Sequence, residues 1–153
     1  MTSSTQNDSK DMTRILIDTN ILVYAYDQRV PVKQRRAIAA LSRVREDRTG
    51  VLTAQVLSEF YVVATRKLAP PLTPAQAEAQ MQAFAAQWPV LPVTANVVLL
   101  AARRAQDYHM HFWDAQIWAA AHLHGITIIY SEDFNPGAVI EGVRFVNPLA
   151  EDT

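Results

Sequence analysis

The sequence predicts a single α/β domain, a short parallel sheet with helices on both faces. Three observations lead there. Short apolar runs (Ile15-Leu16-Ile17, Val51-Leu52, Val90-Leu91, Ile126–Tyr130) alternate with segments of helical period, and nothing resembles a hairpin meander. The 153 residues suffice for one buried core, with no internal repeat and no second domain. Half the residues are apolar and 19% are charged, the balance of a globular chain.

Residues 1–13 are polar and rich in Ser, Thr, Asn and Asp, and read as a disordered tail. The domain then spans 14–149, with a short tail at 150–153. The first strand is Arg14–Ile17, followed after Asp18 by a short helix through Ile21, Leu22, Tyr24 and Ala25. Pro31 suits the first turn of a second helix that runs to about Asp47. Gly50 breaks that pattern, and Val51-Leu52 forms a short strand. Thr53 caps a helix carrying Val56, Phe60, Val63 and Ala64 at spacings of three and four. Thr73-Pro74-Ala75-Gln76 opens the next helix: Thr caps, Pro takes the first turn and Gln completes a capping box. Val90-Leu91 leads to a helix from about Thr94 to Asp107. The last helix starts near Asp114 and stops at Gly125, a residue suited to a left-handed end. Strand Ile126–Tyr130, the turn Asn135-Pro136-Gly137 and a strand around Arg144-Phe145-Val146 complete the order.

Four acids stand out against this frame. Asp18 and Asp133 follow apolar strands, and the carboxyl edge of an open parallel sheet is where ligands bind. Glu59 lies three residues after Val56 and four before Val63, on a helix face where a charge is costly unless paired. Asp114 sits in a similar apolar setting. Each has an alternative role: Asp18 and Asp114 as helix caps, Asp133 in an Asx turn. Together they are better explained as one metal site, because converging carboxylates repel until a cation joins them. Carboxylate oxygens suit Mg²⁺ or Mn²⁺, and magnesium takes one or two of them directly while keeping waters. Two ions about 3.5–4 Å apart would stabilise both the attacking and leaving oxygens of phosphodiester hydrolysis. A neighbouring carboxylate then takes the proton of the attacking water.

Other classes are excluded or weakened. There is no cysteine, hence no disulfide, thiolate zinc site or cysteine nucleophile. No apolar run approaches the ~20 residues of a membrane span, and Met1 to Arg14 lacks the apolar core of a secretory leader. A soluble cytoplasmic protein is expected. The net charge of −1 does not advertise nucleic-acid binding, but Arg29, Lys33, Arg35, Arg36, Arg43, Arg45 and Arg48 form a basic strip. It is either a solvated helix face or a phosphate-contacting surface. His109 with His111, and His122 with His124, are two apart and so face different sides, unlike helical metal ligands four apart. His111 is close enough in sequence to Asp114 to reach a substrate. Trp118 reads as core; Trp113 reads either as packing or as a stacking surface for unpaired bases.

The segments Ile15–Leu22 (with Asp18-Thr19-Asn20), Val56–Phe60, Phe112-Trp113-Asp114-Ala115 and Tyr130–Phe134 resemble, in order, the PIN-domain ribonucleases. The likeness extends from about Arg14 to Leu149 and is closest to the VapC-type toxins of bacterial toxin–antitoxin pairs. It implies a PIN-like three-layer domain with Asp18, Glu59, Asp114 and Asp133 as the catalytic quartet, and Asp18 and Asp114 as metal ligands. Asn20 matches a residue that supports the first aspartate, Ser131 the hydroxyl opening the last motif, and Thr19 a position between Asp and Asn. Glu132, beside Asp133, is the one ambiguous acid. The resemblance further implies Mg²⁺ or Mn²⁺, an RNA substrate, a homodimer and a VapB-like antitoxin. Such an antitoxin would insert a basic side chain near the acids, with Tyr24, Tyr26, Phe60 and Tyr61 either flanking it or belonging to the core. A haloacid-dehalogenase-like phosphatase fits poorly: Asn20 stands where its second acid belongs, and no lysine follows Lys67. A catalytically inactive PIN-like RNA-binding or scaffolding module is the other alternative, against which the intact quartet argues.

Overall fold

In the computed structural model, which describes residues 13–150, strand β1 (Ile15–Ile17) is central in a six-stranded sheet. It pairs in parallel with β2 (Gly50–Thr53) on one side and β4 (Ile128–Tyr130) on the other. Beyond β2 lies β3 (Val90–Leu91), and beyond β4 lies β6 (Val143–Val146), both parallel to their neighbours. β5 (Val139–Ile140) closes the far edge antiparallel to β6. The chain steps outward from β1 to β2 and β3, then returns past β1 to lay down β4. Strand order therefore reverses between β1 and β4, and the crevice beyond their carboxyl ends is the natural ligand position of such a sheet.

Six helices connect the strands: α1 (Thr19–Tyr24), α2 (Pro31–Glu46), α3 (Ala54–Arg66), α4 (Pro74–Gln87), α5 (Ala95–Tyr108) and α6 (Phe112–Leu123). Successive strand residues face opposite sides, yet Leu16 and Ile17 are both fully buried, as are all four positions of β2. Helices thus cover both sheet faces. The expected caps are present: Thr53 accepts from Val56 N, Thr94 from Val97 N, and Thr73 and Gln76 form the reciprocal capping box. Among the described residues no helix is long and apolar enough to cross a membrane.

Two expectations shift, at α6 and β4, and two features were not foreseen. α6 begins at Phe112, with His111 in the cap position, so Asp114 lies in the first turn and does not cap. Gly125 (φ 68°) follows α6 in the left-handed conformation as expected, and His109 (φ 55°) unexpectedly ends α5 in the same way. β4 starts at Ile128 rather than Ile126. The β5–β6 hairpin has no counterpart in the sequence reading: Glu141 (φ 47°) and Gly142 (φ 83°) make a two-residue turn with both φ positive, as in type I′ hairpins. The tail expected over residues 1–13 lies, apart from Thr13, outside the described residues, as do residues 151–153 of the C-terminal tail.

The core is partly aromatic. Phe60 is fully buried and packs edge-on against Tyr26 (5.8 Å) and Phe84 (5.1 Å), so it is not available as an anchor for a partner. Trp118 is buried as expected, its indole donating to Ile140 O at 3.0 Å.

Candidate active site

Backbone pairing places Asp18. Its N–H donates to Tyr130 O at 2.9 Å, continuing the β1–β4 ladder one residue past β1. Its carboxylate caps α1, Oδ1 accepting from Thr19 N at 2.7 Å. The Ile17–Tyr130 register sets the next residue of the other strand, Ser131, alongside. Buried Ser131 donates its hydroxyl to Asp18 Oδ2 (2.8 Å) and accepts from Asp133 N (3.3 Å). One hydroxyl thus links the first acid to the last.

Thr19 acquires a definite role. Its hydroxyl donates to Glu59 Oε2 at 2.9 Å, tying α1 to α3. The other oxygen of Glu59 accepts from Gln55 Nε2 (3.0 Å), one helical turn earlier. Gln55 also donates to Trp113 O (3.2 Å) and accepts from Gln116 Nε2 (2.6 Å), which joins α3 to the start of α6. Asn20 acts at one remove: its Oδ1 accepts from Glu132 N (3.2 Å), holding the loop after β4.

Asp18, Glu59, Asp114 and Asp133 line one cleft of about 1050 Å³. The side chains of Asp114 and Asp133 accept no hydrogen bond from protein among the described residues, leaving their oxygens open to a ligand. Burial pushes the Asp18 carboxyl up to about 7, against the lowering effect of Ser131 and Thr19 N; the charges of Asp114 and Glu59 add to the rise. Burial likewise raises Asp114, and Asp133 and Glu59 raise it further while His111 opposes them. The acids therefore feel one another.

Glu132 lies outside this cleft. It pairs with Lys33 at 2.8 Å, and Lys33 sits over the Tyr24 ring. Successive residues diverge as alternation requires. The histidines have structural positions: His109 and His124 end helices, His111 precedes one, and His122 stacks on Trp118 at 4.8 Å. The basic strip divides. Lys33 is spent on Glu132 and Arg36 on Leu149 O, while Arg29 lines the cleft, clamped by buried Asp27. Gln55 and Gln116 escaped the sequence reading. Their signal was present: both are polar residues in apolar helical runs, Gln55 four before Glu59 and Gln116 two after Asp114.

The donor set has the chemistry of a hard divalent cation: carboxylate oxygens, no sulfur. Among the described residues, no three acidic or histidine side chains close on one point as a preformed cage would. Zinc, which favours nitrogen and sulfur donors, does not suit such a set. A magnesium-like ion, held by one or two carboxylates and otherwise hydrated, does.

A family model described as "PIN domain" matches residues 15–139. No curated protein matches the chain. Among solved structures, the chain is similar to a toxin–antitoxin complex from Klebsiella pneumoniae (TM-score 0.65, 22% identity), over 88% of this chain and 97% of that one. It is also similar to DNA-bound VapBC from Salmonella typhimurium (TM-score 0.63, 17% identity, 90% and 99% covered). A third match is Mycobacterium tuberculosis VapC20, a sarcin-ricin loop cleaving toxin (TM-score 0.61, 18% identity, 78% and 89% covered). At these identities the likeness is one of fold.

Proposed function

The chain belongs to the PIN-domain family, a family of nucleases, and from that premise we propose that it is a metal-dependent endoribonuclease acting as the toxin of a toxin–antitoxin pair. The observation that carries this reading is the meeting of four carboxylates in one cleft at the sheet's reversal point, with Asp18 pushed up to about 7. A bound cation would relieve the burial and mutual repulsion that raise Asp18, and this supports the metal-site reading.

Asp18 and Asp114 would hold Mg²⁺ or Mn²⁺, which when bound offsets phosphate charge and makes water more acidic. Ser131 and Thr19 N fix the Asp18 oxygens. Thr19 and Gln55 fix both oxygens of Glu59, which would accept a proton from the attacking water as the P–O bond to the leaving oxygen breaks. Asp133, open to solvent beside Asp114, would hold a second ion or share the same proton path. The solved VapBC complexes support a VapB-like antitoxin as partner, and a homodimer belongs to the same reading. An antitoxin arginine would take two carboxylates at once in place of metal. Tyr24, half-buried at the cleft, and exposed Tyr61 remain as its apolar flanks now that Phe60 is assigned to the core. The same reading includes a cytoplasmic location, where an RNA target and an antitoxin would be met. The inactive-module alternative gains no support from a cleft that retains every acid.

Cleavage of labelled RNA tests this. Activity is expected with Mg²⁺ or Mn²⁺, to stop with EDTA, to vanish in Asp114→Asn, and to fall by about 10²–10⁴ in Glu59→Gln. Growth arrest on expression should disappear in Asp114→Asn. Cleavage that survives EDTA, or an unimpaired Asp114→Asn protein, would overturn the assignment. Rescue by zinc alone would return attention to the histidines.

A further inference from the structure

The chain has three tryptophans, and they are treated very differently. Trp118 is fully buried and Trp88 is 5% exposed, but Trp113 is 60% exposed on the wall of the acidic cleft. Its place is fixed: Gln55 holds its carbonyl, and Phe112 packs edge-on against its ring at 5.3 Å. An indole held open to solvent beside Asp114 offers a π-face to whatever enters the cleft.

Helix α3 gives the cleft its direction. Gln55, Glu59, Val62 and Val63 line it, and so does Lys67, the residue that ends the helix. At 1.5 Å per residue Gln55 and Lys67 are roughly 18 Å apart, with Glu59 about a third of the way along. Trp113 lies at the Gln55 end through the bond to its carbonyl. Arg29 lies at the Lys67 end, its Nη2 donating to Lys67 O at 2.9 Å while Asp27 holds the guanidinium by two bonds. The Lys67 ammonium makes no ion pair among the described residues. The cleft thus runs from an aromatic face, past the carboxylates and a valine-lined stretch, to an unspent cation.

We infer that this cleft takes single-stranded RNA lengthwise, with one unpaired base stacked on Trp113, one backbone phosphate at Lys67, and the cut falling between them. The inference rests on the nuclease reading and adds the two side chains that hold the strand on either side of the cut; a paired base cannot turn its face to an indole. Stacking tolerates any base, so Trp113 selects for unpairedness rather than for sequence. Lys67 contributes attraction that depends on salt and not on the base.

The test uses the full-length Asp18→Asn protein with Mg²⁺ present, so that binding is read without cleavage. Its probes are a ten-residue oligoadenylate and an abasic ribose-phosphate decamer. With the other two indoles buried, quenching of intrinsic fluorescence reports on Trp113. Oligoadenylate should quench, and the abasic strand should not. Adding Trp113→Leu should weaken oligoadenylate binding about tenfold or more and leave the abasic strand unaffected, while Trp113→Phe should recover part of the loss. Lys67→Gln should weaken both strands and lower the salt slope by about one. Oligoadenylate binding that is equally tight with Trp113→Leu overturns the inference. Wild-type RNA cleavage with an unchanged KM in Trp113→Leu would likewise remove the stacking role while the nuclease stands. Base-dependent quenching in a protein whose wild type cuts no RNA would do the reverse.

Discussion

Asp18 is under two opposed demands. To hold the proposed cation it must be ionised, yet burial and the neighbouring acids favour its neutral form. Burial dominates, and Asp114 and Glu59 add to it, so the folded carboxyl titrates at about 7 instead of 3.8. A raised carboxyl favours the fold in its protonated form. That contribution is fully present below about pH 4 and is lost as pH rises through 7, a span on the order of 4 kcal/mol at most. In EDTA the protein should therefore be less stable at pH 8 than at pH 5. Asp18→Asn should flatten that slope and exceed the wild type in melting temperature at pH 8. Mg²⁺ should stabilise the wild type at pH 8 and do little for Asp18→Asn. Thermal melts of both proteins across this range check it; parallel wild-type and Asp18→Asn profiles would contradict it.

At the scale of elements, helix starts were the most legible features, because caps are local chemistry: Thr53, Thr73-Pro74 and Thr94 announce α3, α4 and α5 from three or four residues each. The break between α5 and α6 was placed to within two residues, but its cause was not legible. It depends on His109 adopting a left-handed backbone conformation, which no residue pattern near Asp114 signals. The β5–β6 hairpin was missed because its turn, Glu141-Gly142, is not one of the Asn-Gly or Asp-Gly pairs that announce a type I′ turn. Gly50 read as a pattern breaker, yet its use is spatial: an added Cβ would lie 2.5 Å from Trp88 Nε1. The indole is boxed in by Phe84, stacked at 6.0 Å, and its buried N–H has no partner among the described residues. Gly50→Ala should lower stability by about 1–3 kcal/mol through overpacking, read from denaturant unfolding. An unchanged midpoint would show that the indole shifts freely.

Over the whole molecule, the sheet joins what the sequence separates. Asp18 and Asp133 meet through Ser131 because β1 and β4 are neighbours, and Glu59 reaches them because α3 follows the strand on the other side of β1. The acids were legible one by one, from strand ends and apolar helix faces. Their convergence was an inference that the strand order then explains. The partners that hold them were less legible, since Thr19, Gln55 and Gln116 act across elements whose packing no local pattern encodes. The central claim is that these carboxylates form one divalent-cation site, and a Mn²⁺ titration followed by electron paramagnetic resonance measures that directly. Wild type should bind Mn²⁺, Asp18→Asn and Asp114→Asn should each lose most of that affinity, and Glu132→Gln, whose carboxylate is engaged by Lys33, should keep it. Equal Mn²⁺ binding by all four proteins would contradict the claim.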